Sequence, residues 1–273
     1  MPPEIEITEP PRRVSIVVVS FNRADSLREC LTDLGHRHQI LVVDNGSRDD
    51  SSDLAEEFPA ARFIKLPKNF GLTKALNIGI RAADGTYILL LHDDTRITGE
   101  AVSKLADFLE DRPDVGAVCP LLPGTAQVRA LPTPSLPDPP LHPAGEGEEV
   151  AAECVSGAAI MFRSFFLRAL RQIDEHYGNY GSIVELCAQV RRASRKLIVL
   201  GSVTAIHQAS ESPMKKSALE GDRVVGTAVF LGKHHGFMTS ILYRIKAALA
   251  GLVTFRFKVV AGALSGVKID GTS

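Results

Sequence analysis

Short, unbroken apolar runs recur along the first 120 residues and leave this chain few ways to fold: VSIVVVS (Val14–Ser20), QILVVD (Gln39–Asp44), RFIKL (62–66), TYILLLH (86–92) and VGAVCP (115–120). They are rich in β-branched residues and lack polar alternation, the pattern of strands buried on both faces of a sheet. Parallel strands of this kind need crossovers, and most of the intervening segments have helical spacing. In 72–83, Leu72, Ala75, Leu76 and Gly79 share one face while Lys74, Asn77 and Arg81 share another. In 100–110, Val102, Leu105 and Leu109 line one side. The expected architecture is α/β, with right-handed βαβ units building a mostly parallel central sheet flanked by helices. Ser26 with Glu29, and Ser47 with Asp50, have capping-box spacing and are expected to open the helices after the first two strands.

Prolines then crowd the chain. Eight of its 16 lie between 120 and 143, so a Pro-rich loop is expected over 120–150, as a lid or an insertion. Regular structure is expected to resume at CVSGAAIMF (154–162), followed by a helix over 164–173 and a turn-rich IDEHYGNYG. A helix opened by Ser182 and closed by Arg191, Arg192, Arg195 and Lys196 comes next, then strands LIVL and VTAIH ending at His207. This divides the 273 residues into a flexible tail (1–13), a domain (14–208) and a basic, amphipathic helical region (209–273). From Gly221 onward seven Lys and Arg face two Asp. The stretch ILYRIKAALAGLVTFRFKVV suits either an interfacial helix on anionic lipid or a helix packed on protein.

With 31 Lys+Arg against 32 Asp+Glu, a general electrostatic grip on nucleic acid is not expected. Cys30, Cys119, Cys154 and Cys187 contain no C-x-x-C pair, which argues against a zinc cluster and for a reducing setting. MPPEIEITEPPRR has none of the basic start and apolar run of an export signal. The apolar stretch 247–255 falls short of the roughly 20 residues needed to span a bilayer. A cytoplasmic protein is therefore expected, peripheral on the inner face of the membrane where the tail is interfacial rather than packed on protein.

In open α/β sheets ligands bind beyond the carboxyl ends of the strands. Those ends read Ser20-Phe21-Asn22-Arg23, Asp44-Asn45-Gly46-Ser47, His92-Asp93-Asp94 and, later, His207. No strand is followed by G-x-G-x-x-G or G-x-x-x-x-G-K-[ST], which excludes the dinucleotide fingerprint and the P-loop. Adjacent carboxylates Asp93 and Asp94 suit a hard divalent cation bridging to a diphosphate.

Taken in order, VSIVVVSFNRADSLRECL, ILVVDNGSRDDS, NFGLTKALNIGI and YILLLHDDTRI resemble the successive signatures of family 2 glycosyltransferases with the GT-A fold. The similarity continues through VSGAAIMFRSFFLRALRQIDEHY to VTAIHQ, covering residues 14–208. KHHG at 233–236 resembles a segment of the bacterial rhamnosyltransferase-like branch. The resemblance implies a UDP- or dTDP-sugar donor, a divalent metal (Mg²⁺ or Mn²⁺), and a glycan or glycolipid acceptor in cell-surface polysaccharide synthesis. The nucleotide site would comprise Ser20, Phe21 against the base, Asn22, Arg23, Asp44 accepting from a pyrimidine N–H, Asn45 and Ser47. Asn69, Gly71, Lys74 and Asn77 would lie beside the diphosphate, with His92 and Asp93 close by. Asp94 and His207 would hold the metal. At the positions where the family has its Glu-Asp base, this chain has Ser182 and Ile183. Glu185 is the nearest acid, and its spacing from Ser182 also fits a capping box. Asp174, Glu175, Glu146, Glu148 and Glu149 are substitutes. Two readings follow: an inverting glycosyltransferase with Glu185 as base, or a pseudo-glycosyltransferase acting as a nucleotide-sugar-binding or scaffolding module.

Overall fold

In the computed structural model, residues 13–145, 147–170, 173–208 and 216–268 are described. The first half alternates as expected: β1 (Val14–Ser20), α1 (Ala24–Leu34), β2 (Gln39–Asp44), α2 (Leu54–Glu57), β3 (Ala61–Lys65), α3 (Leu72–Ala82), β4 (Tyr87–His92), β5 (Thr95–Arg96), α4 (Gly99–Asp111) and β6 (Val115–Leu121). There follow β7 (Ala126–Arg129), β8 (His142–Pro143), β9 (Glu149–Ala152), β10 (Cys154–Val155), β11 (Ala159–Arg163), α5 (Ser164–Ala169), α6 (Ser182–Arg192), β12 (Lys196–Thr204) and β13 (Ile206–His207). The chain closes with α7 (Lys216–His235), α8 (Phe237–Val253) and α9 (Phe257–Ser265).

The main sheet runs β3-β2-β1-β4-β11-β6-β12-β9. The β3-β2-β1-β4 half is parallel; β11 enters antiparallel, β6 and β12 pair in parallel, and β9 closes the edge antiparallel. Side chains alternate between two core layers. Ile16, Val18, Leu89 and Leu91 face α1 and α4, whereas Val17, Leu90 and Ile160 face α3 and α6. Gly79 lets α3 settle on β1, since a Cβ there would collide with Val17.

Several local expectations are corrected. Ser26 lies inside α1, and the helix is instead headed from the next loop, where Asp49 accepts from Ala24 N at 3.0 Å. Ser47 forms no box with Asp50: its Oγ accepts from Asn22 N at 3.0 Å. α6 is preceded by Gly181 in the left-handed region (φ 107°), so Ser182 is the first helical residue and caps nothing. The helix over 164–173 ends at Ala169, with 171–172 outside the described residues. LIVL and the first two residues of VTAIH join into one strand, β12, and Ile206–His207 form β13. The Pro-rich stretch is partly ordered, because β7, β8 and β10 form a small sheet and β9 extends the main one. Residues 1–12 of the N-terminal tail, Glu146, and 209–215 and 269–273 of the C-terminal region lie outside the described residues.

Candidate functional site

The ends of β1, β2 and β4 converge because these strands are parallel neighbours in register: Ser20 lies beside Asp44, and Val19 beside His92. Their loops are cross-braced. Asn22, in the left-handed region at φ 52°, accepts through Oδ1 from Arg48 N at 2.8 Å. Buried Asp44 accepts from Ser47 N at 2.9 Å. Asn45 donates to Asn69 Oδ1 at 2.8 Å and accepts from Phe70 N at 3.0 Å, so it shapes the 67–71 turn; Asn69 Oδ1 also accepts from Gly71 N at 2.8 Å. A side chain at Gly46 would collide with the Lys68 backbone, which keeps that turn close to β2. Phe70 is flanked by two cations, with Lys74 Nζ 4.7 Å and Lys68 Nζ 5.2 Å from its ring centre.

Asn77 sits differently from the rest of this group. Its side chain is buried and spent on the Ile173 backbone, donating to the carbonyl at 2.9 Å and accepting from the N–H at 2.8 Å. It fastens the 173–175 segment. Asn77→Ala is expected to cost about 2–3 kcal/mol, since it strands both groups of Ile173. Urea denaturation checks this. Unchanged stability with a tenfold loss of nucleotide affinity would instead put Asn77 at the diphosphate.

At the tip of β4 the geometry concentrates charge. Arg23 Nη1 donates to Asp93 Oδ1 at 3.2 Å and to Asp94 Oδ2 at 2.8 Å. The other oxygen of Asp94 lies 3.2 Å from His207 Nε2 and 3.9 Å from His92 Nδ1. Pairing of β13 with β5 delivers the distant histidine: His207 stands opposite Thr95, and Gln208 N donates to Asp94 O at 2.9 Å. Ligand atoms of His92, Asp94 and His207 all fall within 4.8 Å of one another.

Burial alone would raise the Asp94 pKa, but the hydrogen bond from His207 and the electrostatic pull of the neighbouring His92, His207 and Arg23 side chains outweigh it and hold the carboxyl well below the usual range. Burial pushes Asp93 up to about 6, against Arg23 and Ser20. Desolvation lowers His92 to about 4, leaving it neutral near pH 7. One ionised carboxylate oxygen turned toward two imidazole nitrogens is a donor set that fits a divalent metal ion. His92, which the resemblance placed with the nucleotide residues, joins this cluster. Its two-residue offset from Asp94 at a strand end was the available signal.

Glu185 stands in another setting. Only 3% exposed, it accepts from His234 Nε2 at 2.7 Å and Tyr177 Oη at 3.0 Å through one oxygen, and from Gln189 Nε2 at 2.6 Å and Lys233 Nζ at 2.9 Å through the other. Burial would raise its pKa, yet the bonds from His234, Gln189 and Lys233 bring it down to about 2. The capping role expected for it with Ser182 is not formed. Two of its four partners, Lys233 and His234, come from α7, which the spacing within α6 gave no means of foreseeing; Gln189 lies one turn on in α6 itself, and Tyr177 precedes that helix. Ile183 packs on Gly157, where a Cβ would come within 2.8 Å of it.

A folded-state pKa depressed from 4.5 to about 2 makes Glu185 stabilising above pH ~4.5, and that contribution fades as pH falls toward 2, amounting to about 3 kcal/mol in full. Urea midpoints should therefore drop between pH 5 and about 2.5 by more in the native protein than in Glu185→Gln. Parallel pH curves would rule this out.

Comparison with known proteins adds the following. The family model "Glycosyl transferase family 2" matches residues 15–169. Among curated relatives, the undecaprenyl-phosphate 4-deoxy-4-formamido-L-arabinose transferase of Klebsiella pneumoniae (strain 342) is 32% identical over 122 residues, covering 40% of this chain and 37% of that protein. An N-acetylglucosaminyltransferase of Rhizobium meliloti (strain 1021) is 34% identical over 122 residues, covering 41% and 28%. The matches thus span between 28% and 37% of these relatives' lengths. Among solved structures, the mannosyltransferase PcManGT from Pyrobaculum calidifontis in complex with GDP-Man and Mn²⁺ aligns at a TM-score of 0.58, with 16% identity over 94% of this chain and 87% of that one. S. aureus TarS 1–349 in complex with UDP-GlcNAc aligns at 0.59, with 15% identity over 85% and 70%. At these identities the structural likeness is one of fold.

Proposed function

This chain belongs to glycosyl transferase family 2 and has the GT-A fold, and from that premise we propose that it is an inverting, divalent-metal-dependent glycosyltransferase. The donor would be a UDP- or dTDP-sugar and the acceptor a hydroxyl of a glycan or glycolipid in cell-envelope polysaccharide synthesis, at the inner face of the membrane. The reading rests on a single observation, the convergence of His92, Asp94 and His207 beside the ends of β1, β2 and β4. The Mn²⁺ named with PcManGT supports it.

His92, Asp94 and His207 would hold a divalent ion, which when bound would supply positive charge to the leaving diphosphate. Around it, Phe21 offers a ring to the base and Asp44 an acceptor to a pyrimidine N–H. Ser20, Asn22, Asn45, Ser47 and Asn69 shape the pocket. Lys74, at the start of α3 after Gly71, adds charge beside the diphosphate. Arg23 holds Asp93 and Asp94 in place. The acceptor oxygen forms a bond to the anomeric carbon from the face opposite the diphosphate, the bond to the diphosphate oxygen breaks, and the acceptor proton passes to a base.

Glu185 is the acid nearest the family's base position. Its low pKa and four donors weaken it as a proton acceptor, and with Ser182 and Ile183 this favours a second reading, a nucleotide-sugar-binding module without turnover. Thermal scans with UDP, dTDP and GDP, with and without Mn²⁺, test both. A Mn²⁺-dependent rise of about 5–10 °C is expected for one nucleotide at about a hundredfold its Kd. Release of nucleoside diphosphate from the matching sugar donor then selects the enzyme, and binding without release selects the module. No nucleotide binding overturns both.

A further inference from the structure

Helices α7, α8 and α9 pack over a small shared core of Val224, Ala248 and Ala263, with Gly221 and Gly262 allowing α7 and α9 to approach closely. Lys233 and His234, at the end of α7, tie the group to Glu185 of α6. The outer face is left uncovered. On α8, Met238, Leu242, Ile245, Leu249 and Leu252 succeed one another at steps of four and three residues, which places them on one side, and each is more than half exposed. Phe255 (78% exposed) and Phe257 (68%) extend the apolar surface across the turn into α9. Isolated exposed apolar residues are ordinary, but an aligned row with flanking aromatics marks a surface that something covers.

The charge pattern says what. Residues 237–268 contain five Lys and Arg and no Asp or Glu. Lys246, Arg256 and Lys258 are exposed, Arg256 also lying 3.7 Å from Glu220. A two-fold contact with a second copy would set this basic surface against itself. Among the described residues no helix is long and apolar enough to cross a bilayer.

We propose that the outer face of α8 and the α8–α9 turn docks in the interface of an anionic lipid membrane. The apolar row and the two phenylalanines enter the acyl boundary, and Lys246, Arg256 and Lys258 meet lipid phosphates. The docking stands on this face alone; that it brings the site to a lipid-borne acceptor rests on the transferase reading above.

Co-sedimentation of the whole protein with phosphatidylcholine vesicles, with and without phosphatidylglycerol, tests it. Binding is expected only with phosphatidylglycerol, weakening as salt rises. Replacing Lys246, Arg256 and Lys258 together by Glu should lower partitioning at least about a hundredfold. Leu242→Ser with Leu249→Ser should also lower it, both variants keeping the helical circular dichroism of the native chain. Binding indifferent to phosphatidylglycerol, or unchanged in both variants, overturns the proposal. So does a lipid-free dimer that the serine variant dissociates, which would assign the face to a second copy. Vesicle binding without nucleotide binding would leave the docking intact and remove the transferase reading.

Discussion

Asp94→Asn should abolish the Mn²⁺-dependent part of nucleotide binding and lower any turnover by about a thousandfold, the scale of losing several kcal/mol of charge stabilisation on a leaving diphosphate. The substitution keeps the side-chain shape and one carbonyl oxygen but removes the ionised carboxylate that Arg23, His92 and His207 surround. Asp93→Asn is the contrast. Asp93 contacts Arg23 but lies outside the His92–Asp94–His207 cluster, so its loss should change metal-dependent affinity by less than about tenfold. Calorimetric titration of UDP and dTDP with and without Mn²⁺ separates the two. If Asp94→Asn leaves the metal effect intact, the ion is not held here.

Glu185→Gln should destabilise the protein by about 3 kcal/mol, because it leaves Lys233 and His234 facing a buried neutral group. The thermal midpoint should fall by about 6–10 °C. If Glu185 is an anchor, turnover at a temperature where the variant is folded should keep the native pH profile. A catalytic base would behave otherwise, with a rate loss of about 10²–10⁴-fold and removal of the acidic limb of that profile. Lys233→Met provides the second reading, since it removes a partner of the anchor without touching the carboxylate and should lower stability with little effect on the limb.

Much of the architecture was legible because it depends on periodicity. The five apolar runs became β1, β2, β3, β4 and β6; Val102, Leu105 and Leu109 of α4 are buried as assigned, as are Ala75, Leu76 and Gly79 of α3, although Leu72 is only half-buried and Asn77, assigned to the opposite face, is buried too. Capping was less legible. Ser26, Ser47 and Ser182 all had suitable spacing, yet Asp49 from a neighbouring loop heads α1, Ser47 serves Asn22, and a left-handed Gly181 precedes α6. Hydrogen-bonding groups on a convergent rim have several partners at similar cost, and adjacent loops decide among them. Asn77 shows the same limit: its place on the polar face of α3 suggested a ligand, while the 173–175 segment folds over that face and takes it.

By itself the sequence determined the parallel strands, the helices that cross between them, the rim on which polar residues gather and the uniformly basic character of residues 237–268. These follow from local pattern and from burying apolar surface, which any compact arrangement must satisfy. Only the tertiary structure decided that His92 and His207 share one oxygen of Asp94, that α7 claims Glu185, and that one row of α8 is left uncovered. Each depends on contacts between segments far apart in the chain, where a shift of an ångström changes which partner wins, and no spacing along the backbone records that choice.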